Sequence, residues 1–188
     1  MKLSDLIPAA VGTAATELVL GRLARLVAPL SPGVMLHVGA VQGDTDLGVT
    51  VASLCAWAQT GELGDWTDHE DAADALLGAT EALYRAPLAD AWNAAVAAVE
   101  AEDGPEGDPV AMALAAAWSR LRVCRGEAVT FAELARLASV TPGLVKQLAA
   151  RGELRAATTG RGPKPSRVKA AEARRWLAAR GLRGWEQA

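Results

Sequence analysis

Along most of the chain, apolar residues recur at three- and four-residue spacing, the period of an amphipathic helix. Leu18, Val19, Leu23, Leu26 and Val27 form one such stripe, with Glu17, Arg22 and Arg25 off it. Residues 1–30 therefore read as helix, closed by Pro29 and Ser31-Pro32-Gly33. Val34, Leu36 and Val38 alternate like a strand among glycines, and Gly43-Asp44-Thr45-Asp46 is a loop by composition. Leu47 to Gln59 is apolar enough for a buried helix. Thr67 followed by Glu70 fits a capping box and predicts a helix from Asp68 to Arg85, with Ala73, Leu76, Leu77, Thr80 and Leu83 on one side. Beyond Pro87, Leu88 to Glu102 is alanine-rich, with Trp92, Val96 and Val99 at helical spacing. Asp103 to Gly107 interrupts the pattern. Asp108-Pro109 then supplies an N-cap and a proline at the first helical position. The helix it opens carries Val110, Leu114, Trp118 and Leu121 on one face and ends near Arg125-Gly126.

Past Gly126 the elements shorten and the period changes. Thr130 caps a short helix through Ala138, and Thr141-Pro142 starts a second that Gly152 stops. With Leu134, Leu137, Val140, Val145 and Leu148 turned inward, the two make a helix-turn-helix. Glu153 to Thr159 reads as a strand, Gly160 to Pro165 as a basic turn, and Ser166 to Lys169 as the returning strand. Ala171 to Arg180 is a last helix, packing through Ala173, Trp176 and Leu177. The fold class is mainly α, in two parts. Residues 1–125 form a helical domain, and residues 126–188 a helix-turn-helix with a small β-hairpin.

Charge divides the chain at almost the same place. Residues 1–120 hold 5 Lys+Arg against 17 Asp+Glu, a net of −12, and residues 121–188 hold 14 against 5, a net of +9. A basic module of this size is the footprint of a nucleic-acid binder, because Lys and Arg displace the counterions condensed on phosphate. The acidic body is repelled by DNA and is expected to point away from it.

Composition narrows the alternatives. The prevalence of Arg over Lys, with abundant Ala and Gly, reads as GC-rich bacterial coding. The two cysteines are far apart and suggest neither a disulfide framework nor a zinc site. Neither a signal peptide nor a membrane-spanning run is expected, which points to the cytoplasm. No nucleotide-binding loop, nucleophile elbow or HExxH pattern occurs, so the chain is not expected to be an enzyme, and neither cofactor nor metal is implied. His69 reads as part of a solvated helix start, and Trp176 as core. Trp185, beyond the last helix, is either a packing anchor or part of a partner contact.

Four blocks of the basic part carry a resemblance. They are Val129-Thr130-Phe131-Ala132-Glu133-Leu134-Ala135, Val140-Thr141-Pro142-Gly143-Leu144-Val145, Arg151-Gly152-Glu153-Leu154, and Arg167-Val168-Lys169 running on through Trp176-Leu177. In this order they resemble the winged helix-turn-helix of excisionase-like and MerR-type DNA-binding domains. The resemblance covers about the last third of the chain. MerR proteins place this domain at the N-terminus, so their effector chemistry does not carry over.

The candidate DNA contacts follow from the elements. A recognition helix enters the major groove with its N-terminal residues nearest the bases, which singles out Thr141, Lys146 and Gln147. Gln pairs bidentately with adenine, and Lys meets guanine or phosphate. Arg155, Arg161, Lys164, Arg167 and Lys169 on the wing hold phosphates or reach the minor groove. The expected function is sequence-specific binding of double-stranded DNA by a bacterial transcriptional regulator acting as a homodimer. Two alternatives stay open: a DNA-processing accessory of the recombination-directionality or phage-packaging type, and a winged-helix protein-interaction module. The body is expected to dimerise, or else to bind a protein partner or a small ligand.

Overall fold

The computed structural model describes residues 2–27, 46–64, 68–85, 109–158 and 166–185. Among them the chain is mainly helical, with a small antiparallel sheet. A 3₁₀ turn at Leu3–Asp5 precedes α1 (Pro8–Val27), α2 (Asp46–Thr60), α3 (His69–Arg85) and α4 (Pro109–Cys124). Then come β1 (Val129–Thr130), α5 (Phe131–Leu137), α6 (Pro142–Ala150), β2 (Ala156–Thr158), β3 (Arg167–Val168) and α7 (Ala170–Ala179). The expected strand near Val34 and helix from Leu88 to Glu102 lie outside the described residues, as do Trp66 and Trp92.

The first core is built by α1 to α4. Leu54, Trp57, Leu63, Leu77, Leu114 and Leu121 are its largest buried apolar side chains. α1 and α2 run antiparallel: Gln59 near the end of α2 donates to the carbonyls of Leu3 and Leu6, while Gly12 meets Gly48 near the start of α2. A Cβ at Gly12 would lie 2.6 Å from the Gly48 carbonyl oxygen, so the close crossing requires glycine there. The start of α3 differs slightly from expectation. Asp68 Oδ1 accepts from the Asp71 N–H, so the cap seen in the structure is Asp68. Thr67 lies outside the described residues.

α4 is buried nearly all round, with alanines at 111, 113, 115, 116 and 117 fully covered. Small side chains let α2 and α3 approach from one side and α5 and α7 from the other. Its residues up to Leu121 line the first core, and Val123 belongs to the second. α4 is therefore shared by both cores. The second core adds Val129, Leu134, Val145, Leu154, Val168, Ala173, Trp176, Leu177 and Trp185.

The strand order is β1-β3-β2, antiparallel throughout. Val168 of β3 sits between Val129 on one side and Ala156 on the other. β1 was not foreseen: two residues carry no period, and the same Thr130 that pairs in the strand caps α5. The antiparallel pair of β2 and β3 appears where expected, with shorter strands and an irregular register between Ala156 and Thr158, and the expected turn from Gly160 to Pro165 lies outside the described residues.

Candidate nucleic-acid interface

The placement of α5 and α6 begins at a buried carboxylate. Glu133, with no exposed surface, accepts from the Thr130 N–H at 2.6 Å while Thr130 Oγ1 accepts from the Glu133 N–H at 3.2 Å. This is the reciprocal cap that starts α5. Arg122, in the last turn of α4, reaches the other Glu133 oxygen at 2.7 Å and also contacts Glu127 and the Ala128 carbonyl. Burying a carboxylate is costly unless it is paired and hydrogen-bonded, and Glu133 is both. α5 is thereby fixed to α4. Arg136 of α5, buried and pushed down to about 10 by desolvation, donates to Ser119 Oγ on α4 and strengthens the same joint.

The turn between α5 and α6 passes through Ser139 at φ 54°, the left-handed region. The Val140 N–H bonds back to the Ala135 carbonyl at 2.9 Å, closing the helix end in the way glycine usually does. Ser139 has a reason to be there. Its hydroxyl accepts from the Ser4 N–H at 3.0 Å, so the turn is tied to the first residues of the chain. α6 then starts at Thr141, whose Oγ1 accepts from the Leu144 N–H, with Pro142 at the first helical position.

α6 buries one side and presents the other. Val145 is fully buried, and Leu144 and Leu148 are half-buried. Thr141, Gly143, Lys146 and Gln147 are exposed. Gly143 lies in open space: a Cβ there would approach only Thr141 Oγ1, at 4.0 Å. The fold has no need of glycine at that position.

The remaining sequence-derived contacts separate by location. Arg155 precedes β2 and is exposed, as is Lys169, the residue before α7. Arg167 on β3 is half-buried, and its Nη1 donates to the Ala128 carbonyl at 3.2 Å, which ties β3 to the segment before β1. Arg161 and Lys164 lie outside the described residues. Arg174 and Arg175 extend the basic surface unequally. Arg174 donates to the Val123 and Cys124 carbonyls, capping the C-terminal end of α4. Arg175 is exposed and paired with Glu172.

Sequence reasoning missed the carboxylates that organise these cations. Glu133 was legible as half of a capping box three residues after Thr130. Glu172 carried no signal, because its partners come from a strand entrance 17 residues away and from its own helix. His69 is half-buried at the start of α3, where its Nδ1 accepts from the Leu63 N–H. Cys55 is buried, and desolvation pushes its thiol up to about 11, so it is neutral at physiological pH. No helix among the described residues is long and apolar enough to cross a membrane. Compared with family models, with curated proteins and with solved structures, the chain matches none.

Proposed function

We propose that this chain is a sequence-specific double-stranded-DNA-binding protein, a bacterial transcriptional regulator that acts as a homodimer in the cytoplasm. In this reading residues 126–188 are a winged helix-turn-helix of the excisionase-like or MerR type, and residues 1–125 are an acidic body. α6 is the recognition helix, and β2 with β3 is the wing. No catalytic role, metal or cofactor is part of the proposal.

The observation that carries the reading is the two-sided character of α6. Its inward side is held by Val145, its start is fixed by Thr141, and Lys146 and Gln147 face outward together beside the bare backbone of Gly143. That arrangement suits a helix whose outer face enters a groove. The charge reversal supports it, since among the residues whose burial is described every exposed cation but Lys2 follows Leu121: Arg125, Lys146, Arg151, Arg155, Lys169, Arg175, Arg180 and Arg183. A single module rarely supplies enough specific affinity, so two-fold pairing through the body completes the reading. Ile7 and Val49, the large apolar residues most exposed among those described, lie on that body.

The test is selection from randomised duplex DNA with the full chain. Gln147→Ala is expected to relax preference at one or two base pairs, at a cost of about 1–3 kcal/mol for a bidentate contact. Arg161→Ala with Lys164→Ala is expected to weaken binding to all sequences alike. An unchanged preference in Gln147→Ala removes α6 from the groove.

A further inference from the structure

Acids on a surface that meets DNA oppose binding, and residues 121–188 contain only 5. Glu127 and the buried Glu133 are both held by Arg122 of α4, and Glu153 lies 3.9 Å from Arg151. Glu172 is placed differently. It stands in the first turn of α7 with its side chain only 14% exposed, and it accepts three hydrogen bonds from two elements. The backbone N–H of Arg155, at the entrance to β2, reaches Oε1 at 3.0 Å. Arg175 clasps the same carboxylate with both edges of its fork, Nε to Oε2 at 3.0 Å and Nη2 to Oε1 at 2.7 Å. These bonds hold the Glu172 carboxyl below its ordinary range, the Arg175 fork being the largest cause. Arg175 stays 64% exposed.

One carboxylate therefore locks the base of the hairpin to α7 and fixes the orientation of an exposed guanidinium. Arg155 and Arg175, both exposed, meet at this joint, and the exposed Lys169 stands at the start of the same helix. We infer that Glu172 is a positioning residue for the duplex sugar-phosphate backbone, holding the guanidinium of Arg175 and the main chain at Arg155 so that the two cations form a phosphate clamp between β2 and α7. The inference rests on the DNA reading above. Preorganised charge-assisted contacts gain affinity because the long side chains are ordered before binding.

The sign of the effect makes the test decisive. Simple electrostatics says that removing an acid strengthens DNA binding. A positioning role says the opposite. The full chain, Glu172→Gln, Arg175→Ala and the double variant are titrated against a mixed-sequence duplex by fluorescence anisotropy at low salt. Glu172→Gln is expected to weaken binding by about tenfold, the scale of one charge-assisted hydrogen bond. In the Arg175→Ala background the same change is expected to cost little more, because the clasp is already open. Arg175→Ala, at an exposed position, keeps the test valid should Glu172→Gln fold poorly. Tighter binding by Glu172→Gln, effects that multiply independently, or wild-type affinity in Arg175→Ala each overturn the inference and leave the DNA reading standing. A wild-type chain that does not bind the duplex overturns the DNA reading itself.

Discussion

The guanidinium of Arg120 lies 4.2 Å from the ring centroid of Trp185, close enough for a cation–π contact between α4 and the end of the chain. Trp57 of α2 lies on the same guanidinium at 5.8 Å. Arg120 is 1% exposed, and the carbonyls of Gly184 at 2.8 Å and Ala58 at 3.3 Å accept from its two terminal nitrogens. Burial pushes it down to about 10, so it remains charged at neutral pH. Gly61 and Gly184, both at positive φ, leave the room that it occupies. The tail after α7 thus clasps the first core to the second, and Trp185 is a packing anchor, the first of the two roles left open by the sequence.

This clasp makes Trp185 and Arg120 interdependent. Trp185→Ala is expected to lower stability by about 3 kcal/mol, the usual cost of emptying a buried aromatic site. Arg120→Met and the double variant complete a cycle in urea denaturation. A coupling on the order of 1 kcal/mol is expected from the stacked cation. Strict additivity means that the contact contributes nothing.

Two glycines in helices predict opposite signs. Gly12→Ala drives a methyl against the Gly48 carbonyl and is expected to cost about 1–3 kcal/mol. Gly78, exposed on α3 with nothing within 4 Å of a built Cβ, is expected to gain about 1 kcal/mol as alanine. Calorimetric melting of both variants checks the crossing of α1 on α2. Equal shifts would deny that the two helices are in close contact at Gly12.

Gly143→Ala separates folding from binding. Alanine is the better helix former and meets no obstacle in the fold, so stability is expected to rise by up to about 1 kcal/mol. DNA affinity is expected to fall at the same time, because the added methyl stands on the face assigned to the groove. Unfolding and anisotropy measurements on one preparation give both signs. A rise in both quantities takes Gly143 off that face.

The elements with strong local signals were legible in the sequence. Pro109, Thr130, Thr141-Pro142, Gly126 and Gly152 each state a helix end through backbone chemistry, and the observed ends fall there or within two residues. What stayed hidden was long-range. The two-residue β1 exists because β3 pairs with it. Arg120, Arg122 and Arg174 carry no local signal of their role, yet they serve the joint between the two cores, bonding to carbonyls and carboxylates that only the tertiary fold brings near. Of the cations expected at DNA from sequence, Lys146, Arg155 and Lys169 are exposed, Arg167 is partly engaged with Ala128, and Arg161 and Lys164 lie outside the described residues.

The most direct test of DNA binding is titration of the full chain against a duplex over a series of salt concentrations. If Lys and Arg of residues 121–188 replace counterions at about four phosphates, affinity is expected to fall roughly a hundredfold between about 50 mM and about 200 mM salt, linearly on logarithmic axes. Absence of binding at the lowest salt, or binding indifferent to salt, would contradict the assignment of this chain to DNA.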